Sequence, residues 1–168
     1  MNVNLRQLKI ADNFELAELI RSVFREFKID KPGTVYTDPT TDVLYEVFKH
    51  EKSDYWVAEV DGKLAGGCGI YPTAGLPDGH AELVKFYLLN KYRGYGIGKK
   101  LLEKCFESAN DIGYTHLYLE SFPELSTAVG MYEKSGFKHI DRAMGNSGHF
   151  ACTIWMVKEL RNEVKGER

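Results

Sequence analysis

The chain has 168 residues, 43% apolar and 27% charged, which suits one globular domain spanning 1–168 and excludes a disordered or collagen-like chain. Its 22 basic and 24 acidic residues leave a net charge of −2, which argues against a strongly basic nucleic-acid face. No apolar run approaches the ~20 residues of a membrane span, and Met1–Ile10 lacks a signal-peptide core.

The alternation over Val3–Leu8 predicts a first strand. Asp12 with Glu15 reads as an N-cap and its capping-box partner, opening a helix whose apolar face is Leu16, Ile20, Val23, Phe24 and Phe27. After a loop containing Pro32 and Gly33, Asp38-Pro39 opens a second helix that buries Leu44, Val47 and Phe48. Strands at Tyr55–Val60 and Leu64–Tyr71 are joined by the hairpin turn Asp61-Gly62. Gly66, Gly67 and Gly69 point to a bulge or a close backbone approach. A loop, Pro72–Gly79, leads into a long strand over His80–Leu89.

Next come a turn at Asn90–Tyr95 and an amphipathic helix over Gly96–Asn110, which buries Ile97, Leu101, Leu102, Cys105, Phe106 and Ala109. A strand over Thr115–Ser121 and a helix over Pro123–Ser135 follow, the helix stopped by Gly136. Strands at Phe137–Arg142 and Phe150–Val157 close the chain, and the charged tail Lys158–Arg168 is expected to fray. The order β-α-α-β-β-β-α-β-α-β-β implies an α/β (α+β) fold with a mixed sheet and helices on its faces. Cys68, Cys105 and Cys152 are odd in number and set among apolar residues, so they read as buried thiols of a reducing compartment and place the chain in the cytoplasm.

The segment richest in chemistry is Leu83–Leu102: strand, basic turn, helix, centred on Arg93-Gly94-Tyr95-Gly96-Ile97-Gly98. Glycines let backbone N–H groups approach a ligand, and a helix N-terminus adds unpaired donors with partial positive charge, which together suit a phosphate. The alternative is a turn that only reverses the chain. A dinucleotide G-x-G-x-x-G would need glycine where Lys99 stands, and a P-loop would need one at Arg93. Neither template fits.

Arg93-x-x-Gly96-x-Gly98 resembles the acyl-CoA signature of the GNAT superfamily of N-acetyltransferases. The wider run Leu88–Leu102 is similar to that superfamily's central motif, and Ala128-x-x-x-Tyr132-Glu133-Lys134-x-Gly136-Phe137 resembles its A-x-x-x-Y-E-K-x-G-F block. The resemblance implies a mostly antiparallel sheet whose parallel fourth and fifth strands splay apart around acetyl-CoA as co-substrate, with no metal. It assigns cofactor contacts to Leu88, Leu89, Asn90, Arg93, Gly94, Tyr95, Gly96, Ile97, Gly98 and Lys99, the backbone of Leu88 and Asn90 meeting the pantetheine arm and Arg93–Lys99 the pyrophosphate. One departure is Leu125, where members of the family often carry an Asn that contacts the cofactor.

Acyl transfer to an amine needs a base, because an alkyl ammonium has a pKa near ~10, and a group that stabilises the leaving thiolate. By resemblance Ala81-Glu82-Leu83 matches the strand opening that carries the base in several histone-acetylating members, so Glu82 is the expected base, with His80 and Glu120 in reserve. Tyr132 is the expected acid. A salt-bridged strand glutamate and a core aromatic are the respective alternatives. Cys68 and Cys105 are poor nucleophile candidates, which favours direct attack by an amine in a ternary complex.

The acceptor is a small-molecule, peptide or protein amine that the residues do not identify further. Its contacts are expected from Phe24–Asp38, Tyr71–His80 and Ala143–His149, where Phe27, Tyr36 and Tyr71 hint at apolar character. Neither nucleic acid nor membrane is an expected partner, while homodimerisation stays open. The competing functional class is a non-catalytic acyl-CoA-binding or regulatory module of the same fold, which turnover of the thioester with any amine would separate.

Overall fold

The computed structural model describes residues 1–160. Seven strands form one sheet in the order β1-β2-β3-β4-β5-β7-β6. They are β1 (Val3–Gln7), β2 (Asp54–Val60), β3 (Lys63–Tyr71), β4 (His80–Leu88), β5 (His116–Ser121), β6 (Lys138–Ile140) and β7 (Ile154–Glu159). All neighbours run antiparallel except β4 and β5. The helices α1 (Asn13–Glu26) and α2 (Leu44–Val47) cover one face, and α3 (Ile97–Ile112) and α4 (Ser126–Lys134) the other. None of the described helices is long and apolar enough to cross a membrane.

Each layer follows from its local pattern. Ile97, Leu101, Leu102, Cys105 and Ala109 of α3 recur at helical spacing and are all buried against β2 and β3. Each of the larger ones contributes about 1.5–3 kcal/mol by leaving water. Gly113, at φ 105, ends the helix in the left-handed conformation and donates to the Ala109 and Asn110 carbonyls. Asp61 and Gly62 both have positive φ (50° and 80°), as the tight β2–β3 hairpin requires.

Several boundaries differ from expectation. The Asp12 carboxylate accepts from the Arg6 guanidinium and the Lys9 N–H, so it gives α1 no side-chain cap and forms no box with Glu15. The segment opened by Asp38-Pro39 is a 3-10 turn over Pro39–Val43 plus the single α turn of α2, and Asp38 caps it by accepting from Thr40 N–H at 2.9 Å. Pro123–Leu125 is likewise a 3-10 turn ahead of α4. The last strand starts at Ile154 instead of Phe150, because its register against β5 runs from Ser121↔Ile154 to His116↔Glu159. Lys158 and Glu159 therefore continue β7 and Leu160 is buried, where a frayed tail was expected; residues 161–168 lie outside the described part.

The glycines of β3 do make room for a close approach. A Cβ on Gly67 would lie 2.5 Å from Cε1 of Tyr55, whose buried ring occupies the space. The Tyr55 hydroxyl donates to the Lys85 carbonyl at 2.9 Å. That carbonyl belongs to a bulge: Gly67 pairs with Tyr87 and Gly69 with Val84, so Cys68 alone faces Lys85 and Phe86, and Lys85 adopts φ 53. Gly67→Ala is expected to destabilise the fold by about 1–3 kcal/mol, as overpacking of a filled site does; a shift of the urea midpoint would measure it.

Candidate active site

Pairing between β4 and β5 is confined to His80↔His116, Ala81↔Leu117 and Glu82↔Tyr118. Beyond Glu82 the two strands separate, as the resemblance implies. The gap opens into a cleft of about 300 Å³ bounded by Phe86 and Leu88 of β4, the glycine turn and α3 start, and Ala128 and Met131 of α4.

The turn presents backbone to this cleft. Gly94 and Gly96 have φ 87 and 80, and a Cβ at either would meet nothing within 4 Å. The first helical bond of this end is Lys100 N–H to the Gly96 carbonyl at 3.2 Å, and no side chain caps α3. Among the described residues the amides of Gly94, Tyr95 and Gly96 make no hydrogen bond, and those of Ile97–Lys99 precede the first helical one. Gly98 leaves just enough space: a Cβ there would stand 3.0 Å from Met131 Cε and 3.1 Å from Phe86 Cζ. An anion is the ligand such a run of donors suits.

The expected cofactor residues take different positions around it. Ile97 is buried in the α3 core and Leu89 packs on the α1 side, so neither turns its side chain to the cleft. Tyr95, Lys99 and Asn90 are exposed. The Arg93 guanidinium is already held: Nε donates to the Leu88 carbonyl at 2.9 Å, both terminal nitrogens pair with Glu26, and the group lies 5.0 Å over the Phe27 ring. Arg93 thus ties the turn to α1, and the anion-facing donors are mainly backbone.

A smaller cavity of about 50 Å³ adjoins the cleft through Phe86, Tyr87 and Leu125, and it brings together Glu82, Glu120 and Tyr132. Glu82 is 5% exposed; burial pushes its carboxyl up to about 7, the Thr73 hydroxyl bond at 2.6 Å opposes this, Glu120 adds to it and Lys85 opposes it. Only Oε1 of Glu82 is hydrogen-bonded, and no buried side-chain oxygen among the described residues is unsatisfied, so Oε2 reaches the cavity. Glu120 differs: Oε2 accepts from Tyr118 and Oε1 from Ser147, each at 2.6 Å. His80 stacks on His116 at 4.4 Å beside the paired end of the strands and does not line the cavity.

Tyr132 is held by Phe86 and Phe137, with ring centroids 5.9 and 5.7 Å away. Its hydroxyl makes no hydrogen bond among the described residues, and burial pushes the phenol above its ordinary value. Leu125 lines both cavities with an apolar surface where a polar contact was expected to be lost.

All three predicted acceptor segments contribute to this region. Val35 and Phe24 line it, Thr73 bonds Glu82, and His149 pairs with Asp38 at 2.7 Å over its rim. Tyr36 and Tyr71 instead pack on Phe24 and Phe48, outside the lining. Sequence reasoning missed Lys85, which lines the cavity beside Glu82 although it lies three positions further on.

Parallel strands that separate beyond Glu82, with a glycine turn at the open end, match the arrangement that the sequence resemblance implies. Residues 16–137 match the sequence profile of the Acetyltransferase (GNAT) family. The chain is 40% identical over 158 residues to the uncharacterized N-acetyltransferase YjgM of Escherichia coli (strain K12), covering 93% of this chain and 94% of that one. It spans only 55% of the N-acetyltransferase 8B of Rattus norvegicus, at 29% identity. Among solved structures, a GNAT-family acetyltransferase of Staphylococcus aureus superposes with a TM-score of 0.82 at 21% identity, covering 95% of this chain and 100% of that one. The PaiA N-acetyltransferase of Thermoplasma acidophilum, solved in complex with coenzyme A, gives 0.73 at 21% identity, with 95% and 99% covered. The chain belongs to the GNAT family of acetyltransferases.

Proposed function

We propose that this acetyltransferase moves an acetyl group from acetyl-CoA to a primary amine by direct attack in a ternary complex. The observation that carries this is one cavity holding an open carboxylate oxygen on Glu82 and an unclaimed hydroxyl on Tyr132, joined to a cleft ending in free backbone donors. In that reading the amine nitrogen forms the new C–N bond as the C–S bond breaks. Glu82 Oε2 takes the amine proton, and the Tyr132 hydroxyl donates a hydrogen bond to the departing sulfur. Cys152 also lines the cavity, but burial pushes its thiol up to about 12, which leaves almost no thiolate at neutral pH and disfavours a covalent acyl-enzyme.

Thiol release from acetyl-CoA across a panel of amines tests the reading; binding of CoA with no release for any amine would overturn it. The cradle has its own test. Gly96→Asp is expected to weaken CoA binding at least about tenfold, or about 1.4 kcal/mol, because it sets a negative charge among donors suited to pyrophosphate. The space around Gly96 is open, and an Asp held at its φ of 80 costs about 1–2 kcal/mol of backbone strain, less than a domain's usual stability, so the fold should persist. Titration calorimetry with unchanged affinity would remove the phosphate assignment.

A further inference from the structure

Lys85 is a cation lining the cavity to which the reaction above gives no role. On a regular strand it would face away from Glu82, since side chains alternate. Before the bulge Ala81 and Leu83 face the α3 layer; after it Phe86 and Leu88 do, while Tyr87 and Leu89 join the α1 side. The extra residue reverses the alternation, and Lys85 emerges into the same cavity as Glu82. The backbone conformation at φ 53 and the Tyr55 hydroxyl on the Lys85 carbonyl hold it there.

The ammonium has three donors. Among the described residues it makes no hydrogen bond and no ion pair within 4.0 Å. Asp38 and Glu82 act on it only through space, while burial disfavours its charged form. Asp38 is committed to His149 and Thr40, while Glu82 holds Thr73 through Oε1 and keeps Oε2 open to the cavity without bonding the ammonium. A partly buried cation without a bonded anion is costly, and a ligand carboxylate would remove that cost. The cavity, of about 50 Å³, opens toward the larger cleft past Phe86, Tyr87 and Leu125. The rest of the wall is mixed: Phe24, Val35, Phe122 and Leu125 offer an apolar side beside Glu120, whose oxygens are occupied, and His149, which is paired with Asp38.

We propose that the acceptor is a free amino acid with an apolar side chain, whose carboxylate binds Lys85 while its amine faces Glu82. This rests on the acetyltransferase reading above and names its substrate class. The transfer step balances: the α-ammonium gives one proton to Glu82, the nitrogen gains the acetyl group as the C–S bond breaks, its second proton passes to the departing thiolate, and Lys85 holds the carboxylate without exchanging atoms.

The test compares leucine and phenylalanine with their amides and their decarboxylated amines, using acetyl-CoA and the whole chain. The amides deprotonate more readily, so they should react faster if the carboxylate plays no part. For the wild type and Lys85→Arg, kcat/KM is expected to favour the amino acid at least about tenfold. In Lys85→Met that preference should shrink to within about twofold. The ratio is taken within one preparation, so a loss of folded protein does not mimic it.

Should Lys85→Met fail to fold, calorimetric titration of leucine and leucinamide into the CoA-bound wild type decides, with leucine binding at least about tenfold tighter. Equal or preferred use of the amides, equal binding of the two, or a preference that survives in Lys85→Met overturns the inference while leaving the acetyltransferase reading in place. Absence of thiol release with every amine overturns both.

Discussion

Glu82→Gln is expected to lower turnover at neutral pH about 100-fold, the low end of what a positioned general base contributes. The substitution keeps the shape and the bond from Thr73 but removes the basicity. In the wild type the pH–rate profile should rise through about 7 and then level, because burial has moved the Glu82 carboxyl there. In the variant that limb should vanish, and the rate should climb until the free amine itself titrates near ~10. A profile of unchanged shape with less than about a twofold loss would show that Glu82 is not the base.

Stability provides an independent readout with the opposite sign. The carboxyl is raised from 4.5 to about 7, so between these values the folded chain holds a proton that the unfolded chain has released. Stability therefore declines as pH rises through this window. Above pH 7 Glu82→Gln should be more stable than the wild type, by on the order of 3 kcal/mol at most. Lower activity with a higher unfolding temperature at pH 8 separates loss of chemistry from loss of fold.

Tyr132→Phe is expected to reduce the chemical step by about 10- to 100-fold, the worth of one hydrogen bond to a charged sulfur at roughly 1.5–3 kcal/mol. Burial makes the phenol a weaker acid than in water, where it is already weaker than a thiol near ~8.5. Tyr132 should thus stabilise the thiolate by donating a hydrogen bond and keep its own proton. Its hydroxyl has no protein partner among the described residues, so removing it should change stability by no more than about 0.5 kcal/mol. Acetyl-CoA affinity should hold as well. Single-turnover kinetics isolate the chemical step from product release, and wild-type rates there would reduce Tyr132 to a packing residue.

The local pattern carried much of the architecture. Helical spacing on α1 and α3, the Asp61-Gly62 turn and the glycines at a strand-to-helix junction are short-range signals, and the element order followed from them. The two similarity blocks then located Tyr132 and the glycine turn, and the strand opening Ala81-Glu82 pointed to the carboxylate that proves to be buried with an open oxygen. Boundaries such as the start of β7 were not local, since pairing with β5 sets them across a long stretch of chain.

What the sequence by itself determined about this protein is the order of its elements, its family motif and the residue types offered to the cleft. Only the tertiary structure decided what those residues can do. It ranked the carboxylates: Tyr118 and Ser147, remote from each other in sequence, occupy both oxygens of Glu120, while one oxygen of Glu82 stays open. It turned Arg93 toward Glu26 and left the anion-facing donors to backbone. It also reversed the alternation of β4, because one bulged residue opposite Cys68 carries Lys85 to the face of Glu82. The physical reason is common to all three. Spacing along the chain fixes which way a side chain points in a regular element, whereas desolvation, hydrogen-bond occupancy and bulge position depend on partners brought together by folding.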